Sequence, residues 1–248
     1  FTTDIAEGFA DSKVIYIAVG TPSREDGTAN LQYVEDVAIK IANYLHEYKV
    51  IVTKSTVPVG TNDKIRHIIS KNRKNEVSFD IVSNPEFLRE GSAIFDSFNG
   101  DRIVIGTDSE IAFEIMENIN KPFGIPIIRT DLRSAEMIKY ASNAFLATKI
   151  SFINEISNLC ERLGANIEDV TQGMGMDKRI GNQFLKAGIG YGGSCFPKDT
   201  RALVQIAGDV EYDFDLLRAV INVNKRQQEL LINKARKRFG SLKGLKIA

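Results

Sequence analysis

The chain has 248 residues, 43% of them hydrophobic and 26% charged, enough to bury one large core or two smaller ones and too apolar to stay disordered. Lys plus Arg balance Asp plus Glu at 32 each, so no overall field draws in nucleic acid or an anionic membrane, and an anionic ligand must be held by local cations. Two Cys and two His are not expected to make a zinc site and argue against a disulfide framework, which points to a reducing, cytoplasmic compartment; no uncharged run approaches the ~20 residues of a membrane span.

The first half alternates. Val14 to Val19 is a short apolar run closed by Gly20-Thr21-Pro22, the pattern of a buried parallel strand ending in a loop. Residues 30 to 46 place Leu31, Val34, Val37, Ala38, Ile41 and Leu45 at helical spacing, with Glu35, Asp36 and Lys40 opposite. A second strand, Val50 to Thr53, is closed by Lys54-Ser55-Thr56-Val57-Pro58 and followed by a helix over about Thr61 to Ser70, whose His67 reads as solvated or capping. A third strand, Phe79 to Val82, ends in Ser83-Asn84-Pro85-Glu86. Ile103 to Gly106, a helix over roughly 109 to 119, and Ile125 to Ile128 continue the alternation. This rhythm predicts an α/β fold with a doubly wound parallel sheet, and the loops after the first three strands should face one crevice beyond the carboxyl ends.

After Asp131 the pattern becomes helical. A stretch of about 29 residues starts near Ser134, a fitting N-cap with Glu136 in the first turn, and runs through Arg162 until Gly164 ends it. Its length suggests the spine of an all-helical central domain and a subunit interface. Lys139 and Asn143 stand four apart, hence on one face, among Met137, Tyr140, Ala141, Ala144 and Phe145; the pair either points into a cleft or lies on the surface. Cys160 reads as core filler. Short helices and turns over 166 to 183, a helix over Thr200 to Ala207 and a long helix from about Asp213 to Arg238 complete the chain. The basic end of that last helix, Lys234 to Arg238, suits a helix C-terminus and needs no nucleic acid.

Between these helices Gly190-Tyr191-Gly192-Gly193-Ser194-Cys195-Phe196-Pro197-Lys198-Asp199 reads as a nucleophile on a flexible loop: glycines let backbone approach a ligand, and an ammonium near a thiol favours the attacking thiolate. The alternative is a structural cysteine, but those sit in apolar runs. Gly188 to Gly193 formally matches G-x-G-x-x-G; it lacks a preceding strand, and Pro197 follows too soon for the helix that a dinucleotide loop requires.

Taken together, Val19-Gly20-Thr21-Pro22, Lys54 to Pro58, Asn84-Pro85-Glu86-Phe87-Leu88-Arg89-Glu90-Gly91, Lys139 with Asn143, and Gly192 to Asp199 resemble the nucleotide-sugar dehydrogenases of the UDP-glucose/GDP-mannose dehydrogenase family. The resemblance runs the whole chain in register. It implies the C-terminal part of an NAD-binding Rossmann domain over 1–130, a helical central or dimerisation domain carrying the cysteine loop over 131–228, and over 229–248 the end of a connecting helix and the first strand of a UDP-binding domain. Family members begin with a glycine-rich NAD loop and end with that UDP domain. A chain opening at Phe1 and closing on Leu242 to Ala248 is then expected to be a piece of a longer enzyme, inactive alone.

The resemblance further implies a four-electron oxidation of the C6 alcohol of UDP-glucose to the carboxylate, with two NAD consumed. Lys139 and a water held by Asp199 would take the alcohol proton, Cys195 would attack the aldehyde, Lys139 and Asn143 would steady the oxyanion, and Glu86 with Thr56 would activate the hydrolytic water. Thr21, Ser55, Thr56, Glu90 and Lys198 match NAD contacts. Phe87, Leu88 and Arg89, with Phe184, Leu185, Lys186, Ala187, Gly188 and Gly192, match substrate loops, and Arg179 matches an arginine that in some members reaches the partner subunit's site. Phe184 stands where some members have Tyr. The cysteine loop looks more like the UDP-glucose branch than the GDP-mannose or UDP-N-acetylmannosamine branches. A β-hydroxyacid dehydrogenase with one hydride transfer, and a non-enzymatic thiol-bearing dimerisation module, are the rival readings.

Overall fold

Burial on both faces explains why the first strands are continuous apolar runs. After a short helix α1 (Ile5–Ala10) come β1 (Val14–Ile17), α2 (Gln32–Tyr44), β2 (Lys49–Thr53), α3 (Thr61–Asn72) and β3 (Phe79–Ser83), and the three strands pair in parallel, with Ile15 opposite Ile51 and Ile51 opposite Ile81. Side chains alternate across a strand, so Ile17, Ile51 and Ile81 meet Val34, Ala38 and Ile41 of α2 and Ile65 and Ile69 of α3 on one face. Val50, Val52 and Val82 point to the other face, which is closed by Ala112 and Met116 of α5, introduced below. Each fully buried aliphatic side chain of this kind contributes roughly 1.5–3 kcal/mol relative to exposure. A computed structural model describes residues 2–246.

The sheet continues through α4 (Ala93–Phe98), β4 (Ile103–Gly106), α5 (Glu110–Asn120) and β5 (Ile127–Thr130), giving five strands in the order β1-β2-β3-β4-β5. The sheet is α/β and mostly parallel, as the alternation predicts, but β3 and β4 meet antiparallel through the single pair Ser83 and Gly106. The physical reason lies in α4. A parallel crossover needs a helix packed on the sheet, whereas α4 has six residues and exposes Ile94, Phe95 and Phe98.

Helix α6 (Leu132–Leu163) starts two residues before the expected Ser134 cap. The Asp131 carboxylate accepts from Ser134 N–H at 2.9 Å and from its hydroxyl at 2.6 Å, which holds the Asp131 carboxyl below its ordinary value. A carboxylate at a helix N-terminus beats a hydroxyl there because the helix dipole favours negative charge. The first turn fits tightly: a side chain at Gly106 would lie 2.5 Å from Ala135 Cβ and 2.6 Å from the Asp131 carbonyl oxygen. Glu136 does not serve its own first turn. Its buried carboxylate accepts from Gly60 N–H (2.6 Å), Asn62 N–H (2.8 Å) and Asn62 Nδ2 (2.7 Å), so it caps α3 from another element. Gly60, before α3, has φ of 91° and offers no side-chain cap. Burial pushes the Glu136 carboxyl up, and the donors from Asn62 and Gly60 pull it back in part.

The chain divides into two compact units, Phe1–Ala141 and Ser142–Ala248. In the second, α6 is ended by Gly164 at φ 73°, and α7 (Ile167–Gly175), α8 (Phe196–Asp209) and α9 (Asp215–Phe239) follow. Contacts between α6 and α9 climb both helices together, from Ser151 Oγ on the Val220 carbonyl through Asn158 on Gln227 to Lys234 on Glu161, so the two run side by side in one direction. Helix α8 is longer than expected and begins at Phe196, with Pro197 in its first turn where no backbone N–H is required. A helix therefore does follow Gly188 to Gly193, and the absence of a strand before them is what sets that stretch apart from a dinucleotide loop. No strand forms over 242–246, where Lys243 and Gly244 make a turn; Ile247 and Ala248, the rest of the expected strand, lie outside the described residues.

The Glu136 cap makes a stability prediction. Glu136→Ala leaves Gly60 N–H and Asn62 N–H without their acceptor and is expected to destabilise by about 3 kcal/mol, read as a lower urea midpoint at unchanged slope. A change below about 0.5 kcal/mol would show that water replaces the carboxylate.

Candidate active site

In the first unit the loops after β1 and β2 are stitched to each other. Ser55 Oγ accepts from Val19 N–H at 2.8 Å and donates to the Val19 carbonyl at 2.6 Å; Thr21 Oγ1 donates to the Thr56 carbonyl at 2.8 Å. These hydroxyls shape the strand-end rim by binding backbone. Lys54, directly after β2, donates to Asn84 Oδ1 at 3.1 Å, and Asn84 Nδ2 is fixed on the Val104 carbonyl at 2.8 Å. Next along the loop, Glu86 accepts from Lys139 Nζ at 3.1 Å. Lys139 is 3% exposed, which decides between the two readings of that lysine: it is buried and points into the first unit's polar cluster. The Phe87 ring lies 5.4 Å from Lys139 Nζ and 3.8 Å from the Arg102 guanidinium carbon. Burial pushes the Lys54 ammonium down, the Glu86 carboxylate raises it in opposition, and the Lys139 charge adds to the lowering.

The second unit holds the cysteine. Cys195 sits at the N-terminus of α8, partly exposed, with Ser194 Oγ at 3.7 Å from its sulfur. One turn on, the buried Asp199 carboxylate is shared: Lys198 Nζ lies on one oxygen at 2.5 Å and Asn143 Nδ2 on the other at 2.6 Å. Asn143 stands one turn beyond Lys139 on α6. Lys139 with Glu86, and Asn143 with Asp199 and Lys198, are thus two polar sets, each formed within one unit.

Residues 1–124 match the NAD binding domain of the UDP-glucose/GDP-mannose dehydrogenase family, and residues 133–226 match its central domain. The chain belongs to that family. It is 62% identical over 248 residues to the UDP-glucose 6-dehydrogenase YwqF of Bacillus subtilis and 56% identical over 248 residues to TuaD of the same organism, covering all of this chain and 56% and 54% of those proteins. A solved UDP-glucose dehydrogenase from the archaeon Pyrobaculum islandicum superposes with a TM-score of 0.95 at 40% identity, over 98% of this chain and 57% of that one. The chain therefore spans about half the length of the curated relatives it matches.

NAD is the cofactor of the UDP-glucose/GDP-mannose dehydrogenase family, and the first unit fits it: parallel strands end in hydroxyl-bearing loops, and nothing lies within 4 Å of a side-chain position at Gly20, leaving the rim open there. Thr21, Ser55 and Thr56 stand on this rim, Glu90 is exposed beyond β3, and Lys198 belongs to the second unit.

The remaining sequence-predicted residues fall in two places. Phe87 is half-buried and Leu88 exposed, while Arg89 is turned onto Asp96, to which its backbone N–H, Nε and Nη2 all donate. In the second unit Phe184 has φ of 62° and meets the Phe196 ring edge-on at 6.3 Å, Leu185 is buried, Ala187 is half-buried, and Lys186, Gly188 and Gly192 are exposed. Arg179 pairs with Asp177 beside it. Lys54 and Asn84 were quoted in motifs but given no role; the available signal was their position at the carboxyl ends of parallel strands.

Arg89 and Ser92 hold the Asp96 carboxyl far below its ordinary value, Arg89 first. A depressed carboxyl lends stability above its unfolded value, and that stability is lost as pH falls through the folded one. Exchange protection of the Arg89 amide is therefore expected to persist through the ordinary carboxylate range and to fail only below it, whereas Asp96→Asn should remove it at neutral pH; loss of protection near pH 4 in the unaltered protein would contradict the assignment.

Proposed function

We propose that the protein, at full length, oxidises the C6 alcohol of UDP-glucose to the carboxylate with NAD, through a covalent intermediate on Cys195. The observation that carries the reading is the partly exposed thiol at the α8 N-terminus, one turn before a buried carboxylate shared by Lys198 and Asn143. Family membership and the relatives named UDP-glucose 6-dehydrogenase support the substrate.

A water held by Asp199 takes the proton from the C6 hydroxyl, while Lys139, kept in place by the Glu86 carboxylate, polarises the developing carbonyl. Cys195 Sγ then forms a bond to the aldehyde carbon, and the carbonyl oxygen becomes an oxyanion that Lys139 and Asn143, one turn apart on α6, stabilise by donation. NAD, when bound, would supply the oxidant for both hydride losses from C6, first at the alcohol and then at the thiohemiacetal, so that Cys195 would be left carrying a thioester. Glu86 with Thr56 directs water onto the thioester carbon, the C–S bond breaks and the thiol is restored. Thr21, Ser55, Thr56, Glu90 and Lys198 hold NAD in this reading, and Phe87, Leu88, Arg89 and the 184–188 segment hold the sugar nucleotide.

The test counts NADH per sugar consumed by the full-length protein, with UDP-glucose, UDP-N-acetylmannosamine and GDP-mannose in turn. Two NADH per UDP-glucose are expected. Cys195→Ser should stop after the first oxidation, and Glu86→Gln should accumulate a protein-bound acyl adduct visible by mass; full turnover by Cys195→Ser would point instead to a single-oxidation β-hydroxyacid dehydrogenase.

We also propose that a second copy covers α6. Phe145, Phe152 and Leu159 are each at least half exposed and recur every seven residues, so they form one apolar stripe along the helix. Phe152→Asp is expected to shift the sedimenting species from dimer toward monomer; an unchanged species would remove the stripe from the interface.

A further inference from the structure

The stretch from Gly181 to Cys195 contains no helix or strand, yet it must deliver the thiol to the start of α8. Four amide side chains from α6 and α9 grip its backbone at two residues, and a fifth steadies one of the four. Gly188 is held at both polar groups: its N–H donates to Asn154 Oδ1 at 2.8 Å and its carbonyl accepts from Gln227 Nε2 at 2.7 Å, Gln227 being fixed in turn by Asn158 Nδ2 at 2.8 Å. Tyr191 is held the same way by one side chain. Its N–H donates to Asn224 Oδ1 at 2.7 Å and its carbonyl accepts from Asn224 Nδ2 at 2.9 Å, with Gln228 Nε2 adding a second donor at 3.2 Å. A primary amide matches a backbone peptide in donor and acceptor, so Asn224 pairs with Tyr191 as a neighbouring strand would.

The flanking residues are shaped for this. Gly190 has φ of 100°, and a side chain there would come within 2.4 Å of Asn224 Oδ1, so glycine is what lets the amide close on Tyr191. The Tyr191 ring is buried and meets the Phe196 ring edge-on at 5.9 Å, which ties the clamped residue to the first residue of α8, next to Cys195. Asn224 itself is buried, and its donor and acceptor are both engaged.

We propose that Asn224 is a positioning residue for the Cys195 nucleophile, acting through Tyr191 and Phe196, with Gln227 and Asn154 anchoring the other end of the same loop at Gly188. The assignment rests on the proposed role of Cys195 and extends it. It makes a prediction that a general stabilising role does not, because Cys195 is used only after the first oxidation. Loosening the clamp harms the second oxidation selectively, whereas loss of folded protein lowers both equally.

The experiment compares the full-length protein with Asn224→Ala, Asn224→Asp and Gln228→Met, measuring NADH per UDP-glucose, aldehyde captured by hydroxylamine, KM, kcat and thermal midpoint. Asn224→Ala is expected to fall from two NADH toward one, release capturable aldehyde, and lose about a hundredfold in kcat with KM within about threefold. Asn224→Asp keeps the acceptor for Tyr191 N–H and Gln228→Met removes one donor, so both should move the same way by less. Two NADH per sugar retained in all three variants, with activity falling only in step with folded protein, would overturn the proposal. Should Asn224→Ala fail to fold, Gln228→Met and Gln227→Met decide on the same readouts. If the unaltered protein does not make two NADH, the functional reading fails on its own, and iodoacetamide alkylation of Cys195, followed against the buried Cys160, decides the clamp: a rate altered at least about threefold in Asn224→Ala upholds it and an unaltered rate removes it.

Discussion

A buried carboxylate that caps a helix other than its own is the constraint on which the first unit turns. Glu136 satisfies the first N–H groups of α3, which Gly60 cannot cap, and in doing so binds the start of α6 to the turn that follows β2. The fit is set from three directions: Asp131 caps α6, Gly106 allows the helix to touch β4, and Glu136 locks its second turn. Lys139 is the next turn of the same helix face, so the side chain that meets Glu86 owes its position to a bond one turn away. An uncapped N-terminus buried under α6 would carry the desolvation penalty of its free N–H groups; the carboxylate removes it and fixes direction at once.

The second unit solves a different problem. The proposed nucleophile, Cys195, requires a defined position without being buried, and it lies after a stretch that has no ladder of its own. The solution is borrowed secondary structure, in which side-chain amides on two long helices replace a missing strand neighbour. The two helices are bonded to each other along their length, so the loop is anchored on regular elements rather than on another loop.

Element types were legible because period and punctuation agree: Val50 to Thr53 could only be a buried strand, and Leu31 to Leu45 only a helix with one apolar face. The antiparallel meeting of β3 and β4 was not legible, since strand direction depends on whether α4 packs on the sheet, and six residues containing Ile94, Phe95 and Phe98 look capable of packing. Ser134 was a reasonable cap by residue type; Asp131, three positions earlier, has the stronger acceptor and took the role. At the site, motifs gave the residue types, including Lys139 and Asn143, but not their partners. That Glu86 takes Lys139 and Asp199 takes Asn143 depends on chain segments more than fifty positions apart, which spacing along a helix does not encode. Amides such as Asn224 and Gln227 carry no sequence signal, because an Asn or Gln on a helix is ordinarily a solvated residue.

Charge in the candidate site is balanced within each unit. Lys139 is matched by Glu86 and Lys198 by Asp199, and a further cation, Lys54, rests on a neutral amide whose own donor is engaged on backbone. A buried ion without a partner would cost several kcal/mol, so pairing inside each unit lets each polar set exist before any ligand arrives. In the proposed reaction the donors would then be oriented in advance for an oxyanion, with little left to reorganise. Lys54 differs in having a neutral amide as its hydrogen-bond acceptor, and its ammonium is depressed chiefly by burial, with the Glu86 carboxylate opposing the shift and the Lys139 charge adding a smaller push the same way.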